Sequence, residues 1–186
     1  MILTKASFDV LRLELFKPLN ESQVKALNFL VLKCKEAGLT YPETAYVLAT
    51  VYHETGVPTK SGINRTMLPV KEAGSLKYLQ SKKYYPYIGY GYVQLTWEDN
   101  YRRVGKLLGI DLVKNPERAL EPDVAASIMT QGMLHGWFTG VGFRRKRPVG
   151  RYDLQAYIKA RSIINGTDKA EAIAEYAMVF EKALRS

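Results

Sequence analysis

The spacing of apolar residues predicts a chain built mainly from helices. Ala45, Leu48, Val51 and Tyr52 recur at helical spacing. Thr40 with Glu43 reads as a capping box ahead of them, with Pro42 in the first turn and a stop at Gly56. Thr4 heads a helix through about Phe16, and Asn20 with Gln23 heads another that ends at Gly38. Thr96 with Asp99 resembles a cap for a helix ending near Gly109, and a further helix is expected from about Pro122 to Trp137. Asp153 is placed to cap a helix to Asn165–Gly166. Asp168 is placed to cap the last one, whose apolar stripe includes Ala170, Ile173, Ala177 and Phe180. Residues 57–83 read as polar and irregular, and IDLVKNPERALEP reads as a loop. In YYPYIGYGYVQLT, residues 84–96, aromatic and β-branched residues alternate with Gly and Pro, which predicts a short hairpin or extended loop. The fold class expected is mainly α (α+β), with one small hairpin or sheet.

A length of 186 residues suits one domain with a real core, and a hydrophobic fraction of 47% with a charged fraction of 24% is ordinary for a globular protein. A single domain spanning 1–186 is therefore expected, with no separate binding domain. No apolar run approaches a membrane span. The first residues, MILTKASFDVLRLELF, are broken by Asp9, Arg12 and Glu14 and do not read as a secretory signal. The one cysteine, Cys34, excludes an intrachain disulfide, and its apolar neighbours Leu27, Leu30 and Val31 mark it as a small buried hydrophobe. The 27 Lys and Arg against 18 Asp and Glu give a net charge of +9, which favours polyanionic surfaces. No nucleic-acid-binding motif stands out, and no nucleic-acid partner is expected.

The chemistry starts at His53-Glu54-Thr55-Gly56. Val51 and Glu54 are three apart, so Glu54 points within about 60° of an apolar position on the same helix. It also sits at the negative end of the helix macrodipole. Partial burial and a negative end both disfavour the carboxylate and raise its pKa, as a general acid requires. A partly exposed Glu beside a Gly cap is the plainer reading of the same residues. A zinc metalloprotease would need a second His at position 57, which is Val57, and the only other histidine is His135. No metal and no organic cofactor is implied. Glu72, in the polar segment PVKEAG beside Lys71, is the best second carboxylate, since loop placement is expected to keep it ionised as a base.

The run from His53 to Asn100-Tyr101 resembles the signature of the family-19 glycoside hydrolases, which include plant-type chitinases and phage endolysins with a lysozyme-like fold. The family pattern is a helix ending HETxG, a catalytic Glu, a tyrosine pair, GRGxxQLT or GRGxxQLS, and Asn-Tyr. Here these stand as His53-Glu54-Thr55-Gly56, Glu72, Tyr84-Tyr85, Gly89-Tyr90-Gly91-Tyr92-Val93-Gln94-Leu95-Thr96 and Asn100-Tyr101. KLLGIDLVKNPERAL and ARSIINGTDKA extend the resemblance to about residue 180, the latter closest to the phage branch. The resemblance implies a lysozyme-like two-lobed helical domain with a small β-hairpin beside the cleft. It implies Glu54 as acid, Glu72 as base in an inverting reaction, and Thr96 holding the attacking water with its hydroxyl. It also implies that Gln94, Asn100 and Asn165 bind sugar, and His53 and Tyr85 are taken with them as substrate-binding candidates. Simpler roles stay open: Thr96 as a helix cap, Asn165 as a C-cap, and the tyrosines as hairpin packing. One departure is clear. The family's Arg between the two glycines is Tyr90 here, which cannot supply a fixed positive charge near the carboxylates.

Residues 142–151, GFRRKRPVGR, hold Arg144, Arg145, Lys146, Arg147 and Arg151 with no acid. They read either as a solvated turn or as a contact with an anionic envelope. Together these features point to an endolysin-type muramidase that cuts the β-1,4 bond between N-acetylmuramic acid and N-acetylglucosamine in peptidoglycan glycan strands. It is expected to be a monomer that folds in the host cytoplasm without a signal peptide and acts in the periplasm or cell wall after release. A chitinase, a lytic transglycosylase and an inactive wall-binding phage protein are the alternatives.

Overall fold

The computed structural model describes residues 1–60, 62–145 and 152–186. Three helices open the chain: α1 (Lys5–Glu14), α2 (Glu21–Glu36) and α3 (Tyr41–Glu54). Two small antiparallel sheets follow. In the first, β1 (Gly56–Thr59) pairs with β2 (Gly62–Arg65), and in the second β3 (Val70–Lys71) pairs with β4 (Tyr90–Gly91). The short α4 (Leu76–Gln80) lies between β3 and β4. Beyond them come α5 (Glu98–Leu108), α6 (Pro122–His135), α7 (Leu154–Ala160) and α8 (Ala170–Arg185). Short 3-10 turns cover Pro116–Leu120 and Arg161–Ile163. No helix among the described residues is long and apolar enough to cross a membrane.

The start signals act as the sequence predicts for the first three helices. The Thr4 and Asn20 side chains each accept from the backbone amide three residues on, and each residue's own amide donates to the side chain of that same partner. Glu43 accepts from the Thr40 amide at 2.9 Å. Helix α3 is the centre of the molecule because every residue from Glu43 to Tyr52 is buried. A helix with no polar face must be covered all round. Helix α8 lies along it, α1 and α7 pack on α8, and α2 bridges α3 and α6. The predicted α8 stripe of Ala170, Ile173, Ala177 and Phe180 is buried, and emptying it by Phe180→Ala would cost about 3–5 kcal/mol. Cys34 is fully buried, and burial pushes its thiol up to about 12.

Three expectations are corrected. Residues 57–83 are not irregular: they carry β1, β2, β3 and α4. Proline at position 58 and glycine at position 62 hid a hairpin whose pattern is almost wholly exposed, so no alternation marks it. Residues 84–96 are the short hairpin or extended loop expected, with the two residues of β4 and with Tyr90 and Leu95 bridging across the turn. Two caps also differ. Helix α5 starts after Trp97, whose φ is 76°, and the Thr96 hydroxyl instead donates to the Gln94 carbonyl at 2.8 Å. Helix α8 starts after Lys169, with no side-chain cap from Asp168.

The basic loop is also revised. Arg144 is exposed but is tied back to the core and is not a free surface charge. Its guanidinium pairs with the fully buried carboxylate of Glu43, which also accepts from the Tyr152 hydroxyl at 3.4 Å. Burial pushes the Glu43 carboxyl up, but Arg144 and the Thr40 amide outweigh it and hold the group below its usual range. Arg145 is exposed. Lys146, Arg147 and Arg151 lie outside the described residues.

Candidate active site

Glu54 is the last residue of α3, and its side chain is 20% exposed. Helical spacing puts it on the stripe of Tyr46 and Thr50, both fully buried, so it emerges where the helix leaves the core. Over that stripe lies Arg161, only 3% exposed, whose two terminal nitrogens donate to Glu54 Oε1 at 3.3 and 3.4 Å. Its Nε donates to the Asp168 carbonyl at 2.9 Å, which fixes the guanidinium plane. Burial raises the pKa of Glu54, Arg161 opposes the rise, and Asp168 adds to it; the net direction is upward. Desolvation therefore wins over a direct cation, the condition for a carboxylic acid that keeps its proton above the ordinary range.

His53, beside it, has a buried Nδ1 with no hydrogen-bond partner. Burial lowers its pKa, as do Arg161 and Arg65, so the ring favours its neutral form. The next residue, Thr55, welds the helix end to the strands. Its hydroxyl donates to the Val51 carbonyl at 2.8 Å and accepts from the Met67 amide at 3.1 Å. Arg65 closes the hairpin back onto the helix by donating to the His53 carbonyl at 2.9 Å. From Met67 only five residues lead to Glu72, so the two carboxylates are tied by a span of at most about 18 Å of extended chain beyond that weld.

Glu72 follows β3 directly. Its amide donates to the Gly89 carbonyl at 2.7 Å, and the Gly89 amide donates back to Glu72 Oε2 at 2.9 Å. The Tyr84 hydroxyl donates to the other oxygen, Oε1, at 2.8 Å. Each carboxylate oxygen thus has a neutral donor. The bond to Glu72 and partial burial push the Tyr84 phenol up to about 12, so at neutral pH Tyr84 remains a donor. Gly89 leaves room for the Gln94 side chain, since a Cβ there would lie 2.7 Å from Gln94 Oε1 and push that amide aside.

The remaining predicted residues divide by what already occupies them. Gln94 holds the β3–β4 sheet together, its amide nitrogen donating to the carbonyls of Val70 at 2.9 Å and Gly91 at 3.1 Å. Only its oxygen is left for a ligand, so it acts first as a brace. Asn100 donates to the Thr96 carbonyl at 2.8 Å and accepts from Arg103 at 3.1 Å. Asn165 is exposed, its oxygen accepts from the Gly166 amide at 2.8 Å, and its own amide bonds the Arg161 carbonyl at 2.9 Å. Its backbone thus closes the turn that begins at Arg161. Tyr85 is exposed. Tyr90, in the place of the family Arg, packs edge-on to Tyr101 with ring centres 6.5 Å apart. Among the described residues no group of His, Cys, Asp or Glu could hold a metal ion.

Sequence reasoning missed Arg161 and the link from Tyr84 to Glu72. Arg161 did leave a signal. It interrupts an apolar run, with Tyr157, Ala160 and Ile163 buried around it, and a charge in such a run needs a partner.

Comparison with known proteins bears on the fold. No protein-family model matches the chain, and no curated protein matches it. Solved structures do. A bacterial family 19 chitinase is 21% identical, with a TM-score of 0.58 over 99% of this chain and 95% of that one. Chitinase C from Streptomyces griseus is also 21% identical, with a TM-score of 0.58 over 99% of this chain and 77% of that one. The chain has the family 19 chitinase-like fold. At this identity the chitinase-like fold is what the likeness establishes, and it agrees with the mainly α, lysozyme-like architecture read from the sequence motifs.

Proposed function

We propose that the protein is a glycoside hydrolase that cuts β-1,4-linked N-acetylhexosamine glycans by acid and base catalysis with inversion. The observation that carries this is the unlike holding of two carboxyls. Glu54 sits desolvated at the end of a buried helix with its pKa raised, and Glu72 is oriented in a polar loop by the Tyr84 hydroxyl and the Gly89 amide. Glu54 gives its proton to the leaving glycosidic oxygen. Glu72 takes a proton from the attacking water on the opposite face of the sugar. The one hydroxyl proton of Thr96 is spent on the Gln94 carbonyl, so Thr96 meets that water only as an acceptor. A water donating to both Glu72 and Thr96 keeps a lone pair free for the anomeric carbon.

The substrate we favour is the peptidoglycan glycan strand, cut between N-acetylmuramic acid and N-acetylglucosamine in the manner of a phage endolysin. The net charge of +9 supports it, since peptidoglycan is anionic and chitin is not. In this reading the enzyme is made in a host cytoplasm and reaches the wall after release, and exposed cations such as Arg145 raise its encounter rate at low salt. A chitinase is the second reading, favoured by the names of the structural neighbours. Purified sacculi and N-acetylglucosamine oligomers are digested in parallel, the new ends are identified by mass spectrometry, and the anomer of the first product is read by proton NMR. Reducing muramic ends with an inverted anomer support the proposal, and turnover of the oligomers alone makes it a chitinase. Anhydro ends would make it a lytic transglycosylase. Sacculus binding without any solubilisation would leave a wall-binding protein and overturn the enzymatic reading.

A further inference from the structure

Tyr84, bonded to Glu72, touches the ring of Trp97, and two exposed tyrosines, Tyr78 and Tyr85, lie close to Tyr84 in the sequence. Trp97 is 51% exposed, Tyr78 47% and Tyr85 42%, while Tyr84 is half-buried between its phenolic bond to Glu72 and an edge-to-face contact on the Trp97 ring, centre to centre 5.2 Å. An exposed indole one ring away from an oriented carboxylate marks a binding surface more often than an unfinished core.

The backbone of Trp97 makes the case stronger. Its φ of 76° lies in the region that favours glycine, and a bulky residue there carries a conformational cost. Its amide is anchored on the Tyr87 carbonyl at 2.9 Å, and its carbonyl accepts from the amides of Asn100 and Tyr101 at 3.0 and 3.1 Å. Glycine would make all three bonds without the strain. The indole stands out into solvent and fills no cavity, so nothing in the packing explains why a tryptophan occupies this position.

We infer that Trp97, held by Tyr84, is a stacking platform for a pyranose ring of the glycan next to the Glu72 side of the cut. This rests on the glycosidase reading above and names a subsite within it. The axial C–H faces of a β-linked N-acetylhexosamine present an apolar plane that matches an indole, while its hydroxyls stay in water. Tyr84 joins the platform to the chemistry, since the ring that supports Trp97 also carries the hydroxyl that orients the base.

The chain has two tryptophans, so Trp137→Phe leaves Trp97 as the only one. In that background, with Glu54→Gln to prevent turnover, the N-acetylglucosamine tetramer and peptide-free peptidoglycan strands are titrated while indole emission is followed and heat of binding is measured. A saturable change in emission that tracks the heat is expected. Trp97→Gly is expected to weaken binding roughly ten-fold without lowering the melting temperature, because it relieves the backbone while removing the ring. Trp97→Phe should recover most of the binding. If either glycan binds calorimetrically with unchanged Trp97 emission, or if Trp97→Gly binds as tightly as its parent, the platform is overturned while the glycosidase reading stands. If neither glycan is bound or cut by the protein with Glu54 intact, the glycosidase reading fails and the platform with it.

Discussion

Glu54 and Glu72 are held by opposite means. Glu54 belongs to the core: its helix is buried over ten consecutive residues from Glu43 to Tyr52, and its partner Arg161 is a buried cation more than a hundred positions away. Glu72 belongs to the rim: it follows a two-residue strand, and its partners are a tyrosine hydroxyl and a backbone amide seventeen positions or fewer away. Position is fixed at Glu54 by packing and ion pairing, and at Glu72 by local hydrogen bonds. Changes near Glu54 should therefore disturb stability and acidity together, whereas changes near Glu72 should disturb the chemistry with little effect on the fold.

The largest effect is expected at Glu54 itself. Glu54→Gln keeps an acceptor for Arg161 but has no proton to give, so hydrolysis of sacculi should fall by about 10²–10⁴-fold. The folded pKa of Glu54 is raised. Its contribution to stability is thus fully present below the ordinary carboxylate pKa and lost as pH rises through the raised folded value. Gln does not titrate, so the stability of Glu54→Gln relative to wild type should improve across that window. Melting temperatures at pH 4 and pH 7 check this, and a relative loss on going to pH 7 would contradict the raised pKa.

Removing the cation comes next. Arg161→Met leaves a mostly buried carboxylate without its partner and should cost about 3–5 kcal/mol, measured by urea unfolding. Arg161 now lowers the pKa of Glu54, so its loss should raise that pKa further. The alkaline limb of kcat/KM belongs to the group that must stay protonated, and it should move to higher pH. An unmoved limb would mean that another residue is the acid.

Glu72→Gln tests the rim. Gln keeps the Gly89 amide on its one oxygen, and its NH2 can donate to the Tyr84 hydroxyl once that hydroxyl turns round, so stability should change by less than about 1 kcal/mol, while activity should fall by about 10²-fold for want of a base. A drop in stability as large as that of Arg161→Met would erase the contrast between the two sites.

The same contrast explains what the sequence revealed. Helices α1, α2 and α3 were legible because side-chain caps and apolar periodicity are local signals, and the α8 stripe was legible for the same reason. The hairpin after Glu54 was not, since its strands are exposed on both faces and lack the alternation of a half-buried strand. Thr96 shows the limit of spacing: it stands three before Asp99 as a cap should, yet the positive φ of Trp97 starts the helix one residue later and frees its hydroxyl for Gln94. At the site, Glu54 and Glu72 came from motif order, but Arg161 and the Tyr84 bond depend on contacts between segments far apart in sequence or on loop geometry, which spacing does not encode.

The smallest effect, and the sharpest test of the rim, is expected from Tyr84→Phe. The phenol contributes one hydrogen bond to Glu72 Oε1 and an edge-to-face contact to Trp97, and Phe keeps the second while losing the first. Tyr84 is near the surface, so Phe leaves water free to reach the orphaned oxygen, and the stability cost should stay within about 0.5–1.5 kcal/mol. The carboxylate keeps the Gly89 amide on Oε2 and gains freedom to rotate about that single anchor. A base that wanders is aimed at its water for less of the time, so kcat should fall by roughly ten-fold with KM almost unchanged, since the ring face remains in place. A rise in KM with kcat intact would instead assign Tyr84 to sugar contact alone, and an unchanged kcat would show that the Gly89 amide suffices to hold the base.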